Sequence, residues 1–339
     1  MILNVFSMTE LFIAFVSLVL MLWGGALAFV LASRWKRATT VEERTRVEDS
    51  SHLVLLVCVI VLGIRLLNWP FFYATLQSFV PDIDGAMCIF GVTQVERNLT
   101  GLAELIKPVS FFLVGAWLVL HMLDQKTETS ALMGQKLWFL GATAAIVVAD
   151  SLLDAIQMLT IAPGTVVSCC TTVTDILERP TRLVPRSLLG PGYKAIAGYG
   201  YFASNGILMA ALAVFRARMK PGLPAGWRRA GLGFLFTYAI VNAALFLLAQ
   251  IEVHAPCIMN LPFHHCLYCL WQYVPDTILM YALFVLGTCA PGWAFLLDLI
   301  GRTGESMDAL YAYIRALCNV SVFCLGASML MNAVHLFIA

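Results

Sequence analysis

The sequence predicts an all-α fold: a polytopic membrane helix bundle of about eight transmembrane helices, with both termini outside and cysteine-rich outer loops. Three observations predict it. The 339 residues are 60% hydrophobic and 12% charged, with a mean hydropathy of +0.85, more apolar surface than a water-soluble globule can hide. Eight apolar runs approach or exceed the roughly 20 residues with which a helix crosses a hydrocarbon core of about 30 Å. Lysine and arginine concentrate in every second connection between those runs, as expected for connections that stay on the cytoplasmic side.

The first run, near residues 8–33, opens without a basic region and ends on Arg34-Trp35-Lys36-Arg37; it reads as an outside-to-inside span and not as a cleaved signal peptide. The second, near 52–73, carries Arg65 and closes on Trp69-Pro70-Phe71-Phe72-Tyr73, aromatic residues that suit the membrane–water interface. The third lies near 108–124 and the fourth, which holds Asp150 and Asp154, near 137–161. The fifth and sixth lie near 197–216 and 230–252. In the seventh, near 275–299, Cys289-Ala290-Pro291-Gly292-Trp293 predicts a proline kink, and the eighth lies near 309–338. All are too continuously apolar for transmembrane strands, which alternate in polarity and span in about ten residues.

The connections after the first, third, fifth and seventh spans carry 13 basic residues, ending with Arg302, against 6 in the others. Both termini therefore face outward, and the expected location is a bacterial inner (plasma) membrane with the cysteine-rich loops outside. Residues 1–339 form a single transmembrane domain, and the connections 74–107, 162–196 and 253–274 make an outer cap too small for a core of its own. Trp271-Gln272-Tyr273 belongs to that interface. No internal repeat relates spans 1–4 to spans 5–8, so the inverted-repeat signature of many secondary transporters is missing. A net charge of +1 offers nothing to nucleic acid, and the partners expected are membrane lipid and other membrane or periplasmic protein subunits.

Six of the ten cysteines fall in the three outer connections: Cys88, Cys169, Cys170, Cys257, Cys266 and Cys269. None falls in a cytoplasmic one. Cys266-Leu267-Tyr268-Cys269 is a C-x-x-C, whose two sulfurs approach within one turn of chain and serve either as a reactive disulfide or as two thiolate ligands. With His254, Cys257, His264 and His265 beside it, one short stretch offers three imidazoles and three thiols. As a catalytic pair, Cys266 and Cys269 exchange electrons with a partner and pass them to a carrier such as a quinone in the bilayer. As a metal site, His254, Cys257, His264, His265, Cys266 and Cys269 suit copper, zinc or an iron–sulfur centre. As structural staples, Cys88, Cys169, Cys170 and Cys257 are the disulfide candidates, the ordinary use of cysteines on an oxidising side. Adjacent Cys169 and Cys170 rarely bridge each other, so two partners are expected, Cys88 for one and the 253–274 connection for the other. Cys58, Cys289, Cys318 and Cys324 lie in spans and carry no chemistry. Asn98-Leu99-Thr100 matches a glycosylation acceptor.

Ionisable groups at membrane depth need a partner or a purpose. Arg65 and Asp150 lie at similar predicted depths, and Asp154, four residues on, shares the Asp150 face. An ion pair between Arg65 and one aspartate leaves the second carboxylate unbalanced, able to hold a proton or a cation. Four histidines near span ends admit b-type haem, with His52 and His121 as one axial pair and His254 and His335 as the other. P-loop, nucleophile-elbow, HExxH and dinucleotide patterns are absent. The function expected is an integral membrane redox subunit whose outer Cys/His cluster handles thiol/disulfide electrons or a thiophilic metal. The alternatives are a permease for a metal ion or small solute, and a disulfide-stapled accessory subunit of a larger membrane complex.

Overall fold

A computed structural model describes residues 3–127, 129–170, 174–220, 223–301, 303 and 306–339; Arg302, counted above with the cytoplasmic basic residues, lies outside the described residues. Among them all regular structure is helical. Eight helices are long and apolar enough to cross a membrane, one for each run expected from the sequence. The long helices are α1 (Val5–Arg37), α2 (Val41–Ser78), α4 (Arg97–Asp124), α5 (Met133–Thr160), α7 (Tyr193–Arg218), α8 (Ala225–Ala249), α11 (Thr277–Ile300) and α12 (Met307–Ile338). Short helices α3 (Ile89–Thr93), α6 (Pro180–Leu189), α9 (Ala255–Ile258) and α10 (Leu267–Tyr273) lie in the connections.

The first two helices begin on side-chain caps that satisfy free backbone groups. At α1, Asn4 Oδ1 accepts from Ser7 N at 2.9 Å while Ser7 Oγ accepts from Asn4 N at 3.0 Å, a reciprocal capping box. At α2, Glu43 Oε2 accepts from Thr40 N at 3.2 Å and Thr40 Oγ1 from Glu43 N at 3.3 Å. Pro70, Pro108 and Pro291 lie inside α2, α4 and α11. All three helices continue through them.

The chain divides into two compact units, Met1–Val167 with Ile300–Leu310, and Ser168–Leu299 with Tyr311–Ala339. In the first, α1 packs against α2 and α5, and α4 against α5. Small residues set the α1 contacts: a Cβ on Gly24 would lie 2.5 Å from Cys58 Sγ, and one on Gly25 would lie 2.6 Å from Ala144 Cβ. Close backbone approach of this kind is how membrane helices gain contact where hydrophobic burial supplies little drive. Met21, Leu62, Trp117, Leu137 and Val147 fill the core between them, and Trp117 Nε1 donates to Lys136 O at 3.0 Å.

The second unit is tied by polar contacts that an apolar medium rewards. Ser321 Oγ donates to Gly287 O at 2.6 Å, Ser328 Oγ to Met280 O at 2.8 Å, and Asn242 Nδ2 to Asn205 Oδ1 at 3.0 Å. Arg228, 1% exposed, pairs with Asp298 and donates to Tyr311 Oη at 2.7 Å. Phe246 stacks on Phe284 with ring centroids 3.8 Å apart. Large apolar side chains such as Phe12, Phe15, Leu67, Phe234 and Phe323 remain exposed, while buried polar groups gather inside, the arrangement lipid favours.

Candidate functional site: a buried cysteine cluster

The cluster is assembled in the second unit from two connections. After α8 the backbone widens into a π-turn, Gln250–His254, before α9, the kind of irregularity that re-aims a chain near functional sites. Asn260, at φ 55°, then turns the chain back. Cys266 follows as the N-cap of α10, in extended conformation, with Cys269 three residues on and Leu270 N donating to Cys266 O at 3.2 Å. The second connection brings Cys170, whose carbonyl accepts from both Thr174 N and Thr174 Oγ1 at 2.8 Å.

These supports bring three sulfurs together. The Sγ atoms of Cys170, Cys266 and Cys269 all lie within 4.8 Å of one another, with Cys170 to Cys269 at 3.8 Å and Cys169 to Cys170 at 3.6 Å. Both distances are non-bonded contacts, well beyond the disulfide length of about 2.05 Å. Cys170, Cys266 and Cys269 are 4%, 2% and 6% exposed, so thiolates there need a cation for neutralisation. The donor set fits a metal: buried, sulfur-only and convergent, it matches the soft ligands that zinc, copper(I) and iron–sulfur centres take.

A charge network lies beside the C-x-x-C. Arg179 donates to both oxygens of Glu252, at 3.0 and 2.8 Å, and its Nη2 lies 2.9 Å from His265 Nε2. Tyr193 Oη donates to Glu252 at 2.7 Å, and His265 Nδ1 lies 2.8 Å from Ile251 O. A ring whose Nδ1 donates to a carbonyl and whose Nε2 accepts from a guanidinium is neutral, and burial holds His265 below the usual imidazole range. His265 thereby anchors the residue next to Cys266.

The other residues singled out from the sequence have surroundings of their own. His264 contacts Asp175 at 3.0 Å and Cys257 is exposed. His254 lies inside the second unit, 2.9 Å from Asn332 Nδ2 and against the ring of Tyr201. His335 contacts Asp276 at 3.1 Å, His52 is exposed, and His121 stacks on Trp117. Cys88, in the first unit, is buried as the N-cap of α3. Thr100, the hydroxyl of the Asn98 acceptor pattern, is 1% exposed and accepts from Gln157 Nε2 at 2.9 Å, so it faces the bundle.

The first unit holds a second polar constellation. Arg65 of α2 pairs with Asp150 and, at 2.9 Å, with Asp154 on α5, while Lys107 of α4 reaches Asp154 at 2.7 Å and Asp150 at 3.3 Å. The sequence reading put Lys107 in a connection and left one aspartate unbalanced. Because α4 begins at Arg97, Lys107 enters the bundle and supplies the second cation. Asn68 Nδ2 donates to Asp154 at 3.3 Å and to Glu10 Oε1 of α1 at 2.8 Å. Glu10 was missed although its signal was plain: a lone carboxylate in the first apolar run.

Fold and site together define a class, a polytopic integral membrane protein with a buried cysteine cluster able to hold a metal. Comparison with protein-family models, with curated proteins and with solved structures found no match for the chain.

Proposed function

We propose that this protein is an integral membrane redox subunit that holds a thiophilic metal at its cysteine cluster. The observation that carries the reading is the convergence of three buried sulfurs, Cys170, Cys266 and Cys269, within 4.8 Å. Sulfur ligands without imidazole favour zinc, copper(I) or an iron–sulfur centre, and the last two supply one-electron chemistry when bound. Cys169, whose sulfur lies 3.6 Å from that of Cys170, is the proposed fourth thiolate. The excess of basic residues in alternate connections supports an outward-facing cap with both termini outside.

A second reading rests on a different observation, the sulfur of Cys170 lying 3.6 Å from that of Cys169 and 3.8 Å from that of Cys269. Thiol–disulfide exchange passes through three sulfurs in sequence. Burial weighs against it, because an external partner must reach the thiol it attacks.

Elemental analysis and an optical spectrum of the anaerobically purified full chain separate the two. A bound thiophilic metal, lost in Cys170→Ser, Cys266→Ser and Cys269→Ser and retained in Cys257→Ser, supports the metal reading. Wild-type protein without metal, together with one fewer pair of titratable thiols before reduction than after, favours exchange.

A further inference from the structure

We propose that Glu10 is a proton-binding site inside the first unit, a carboxylic acid that takes up and releases one proton beside the Arg65–Lys107–Asp150–Asp154 quartet. Nothing in the cysteine chemistry requires it, and it stands on separate residues.

Charge balance is the first ground. Arg65 and Lys107 supply two positive charges, and Asp150 and Asp154 supply two negative ones through four ion pairs. The quartet is neutral by itself. Glu10 is a fifth ionisable group, 0% exposed, and within the quartet's field it feels Asp154 as a like charge alongside Lys107 and Arg65. An ionised carboxylate added there carries an uncompensated negative charge out of water, which costs several kcal/mol, so the group takes a proton instead.

Hydrogen bonding is the second ground. Glu10 Oε1 accepts one bond, from the neutral amide of Asn68 at 2.8 Å, while Glu10 Oε2 is buried without a partner. A carboxylate normally draws several donors when buried; here a single amide, shared with Asp154 at 3.3 Å, serves both acids. Asn68 is therefore a donor common to Glu10 and Asp154. Two nitrogens of Arg65, Nε and Nη1, are also buried without a partner.

Depth sets the route. Glu10 lies five residues inside α1, about 7.5 Å at 1.5 Å per residue. Asn4 Nδ2 donates to Ser78 Oγ at 2.9 Å at that end of the bundle. Protonation adds one H⁺ from that aqueous face to the carboxylate, giving the acid, and release returns it. No electron transfer is involved.

The test is infrared spectroscopy of the full chain in lipid bilayers, unlabelled and with carbonyl-¹³C glutamate. Near neutral pH the expected result is a protonated-carboxyl stretch that shifts with the glutamate label, disappears in Glu10→Gln, and titrates away reversibly as pH rises. The wild-type label experiment stands even if the variant folds poorly. Glu10→Gln, which mimics the protonated acid, should melt within about 2 °C of wild type, since equal hydrogen bonding implies a near-zero change at several degrees per kcal/mol. Absence of a glutamate-sensitive acid band at neutral pH, or its persistence in Glu10→Gln, overturns the proposal. Loss of the band on adding sodium at fixed pH overturns it in favour of a cation site.

Discussion

Replacing Lys107 with methionine should destabilise the protein strongly, and removing the charge of Asp154 as well should add less than its own full cost. Lys107 Nζ sits 2.7 Å from Asp154 and 3.3 Å from Asp150, with these three side chains 2%, 0% and 4% exposed. Without it, one guanidinium faces two buried carboxylates. Breaking a buried pair by removing one partner costs about 3–5 kcal/mol, and Asp154→Asn, which leaves two cations for one carboxylate, should cost a similar amount. The double variant keeps Arg65 with Asp150, one charge of each sign, so the two losses should fall short of additivity by about 2 kcal/mol, within the range of contacting residues. At roughly 2–4 °C per kcal/mol for a unit of this size, each single variant should melt roughly 10 °C below wild type. Thermal unfolding of the purified full chain, followed by tryptophan fluorescence, reads all four corners of the cycle. Additive losses would refute the reasoning, since independent sites add to within about 0.5 kcal/mol.

Other consequences follow from single contacts. Gly25→Ala should cost about 1–3 kcal/mol by overpacking, because the new methyl would lie 2.6 Å from Ala144 Cβ; a melting temperature equal to wild type would contradict the close α1–α5 contact. His265 is kept neutral by burial, with its folded pKa lowered. Its stabilisation is therefore complete above the unfolded value of about 6.5 and is lost as pH falls below it, so stability measured from pH 7 to 5 should decline less steeply in His265→Asn. Arg179→Met removes the partner of Glu252 and the donor to His265, and should lower both the melting temperature and metal retention, whereas Arg182→Met, at a half-buried neighbour whose Nη1 donates to Leu177 O, should leave metal retention unchanged.

The helices were legible because length and apolar continuity are local properties: each of the eight runs falls inside a long helix or overruns its ends by a few residues at most. The ends were less so. Lys107 precedes Pro108 and the strongly apolar stretch, and only the packing of α4 against α5 shows that the helix begins a further ten residues upstream, which turns a supposed loop charge into a buried ion-pair partner. The C-x-x-C was visible as a motif, and the structure adds Cys170, nearly a hundred residues away, which the sequence offered only as a disulfide candidate. No spacing rule connects such distant ligands. The histidines show the reverse: His254, His264 and His265 are neighbours in sequence, yet the π-turn and the bend at Asn260 send them to Asn332, Asp175 and Arg179.

The most direct measurement is X-ray absorption at the metal edge of the purified chain, compared with Cys170→Ser. A sulfur-dominated first shell, at about 2.3 Å if the metal is zinc, that loses a sulfur in the variant is the predicted result. A shell of nitrogen and oxygen in the wild type, or a sulfur count unchanged by removing Cys170, would contradict a metal centre built on Cys170, Cys266 and Cys269.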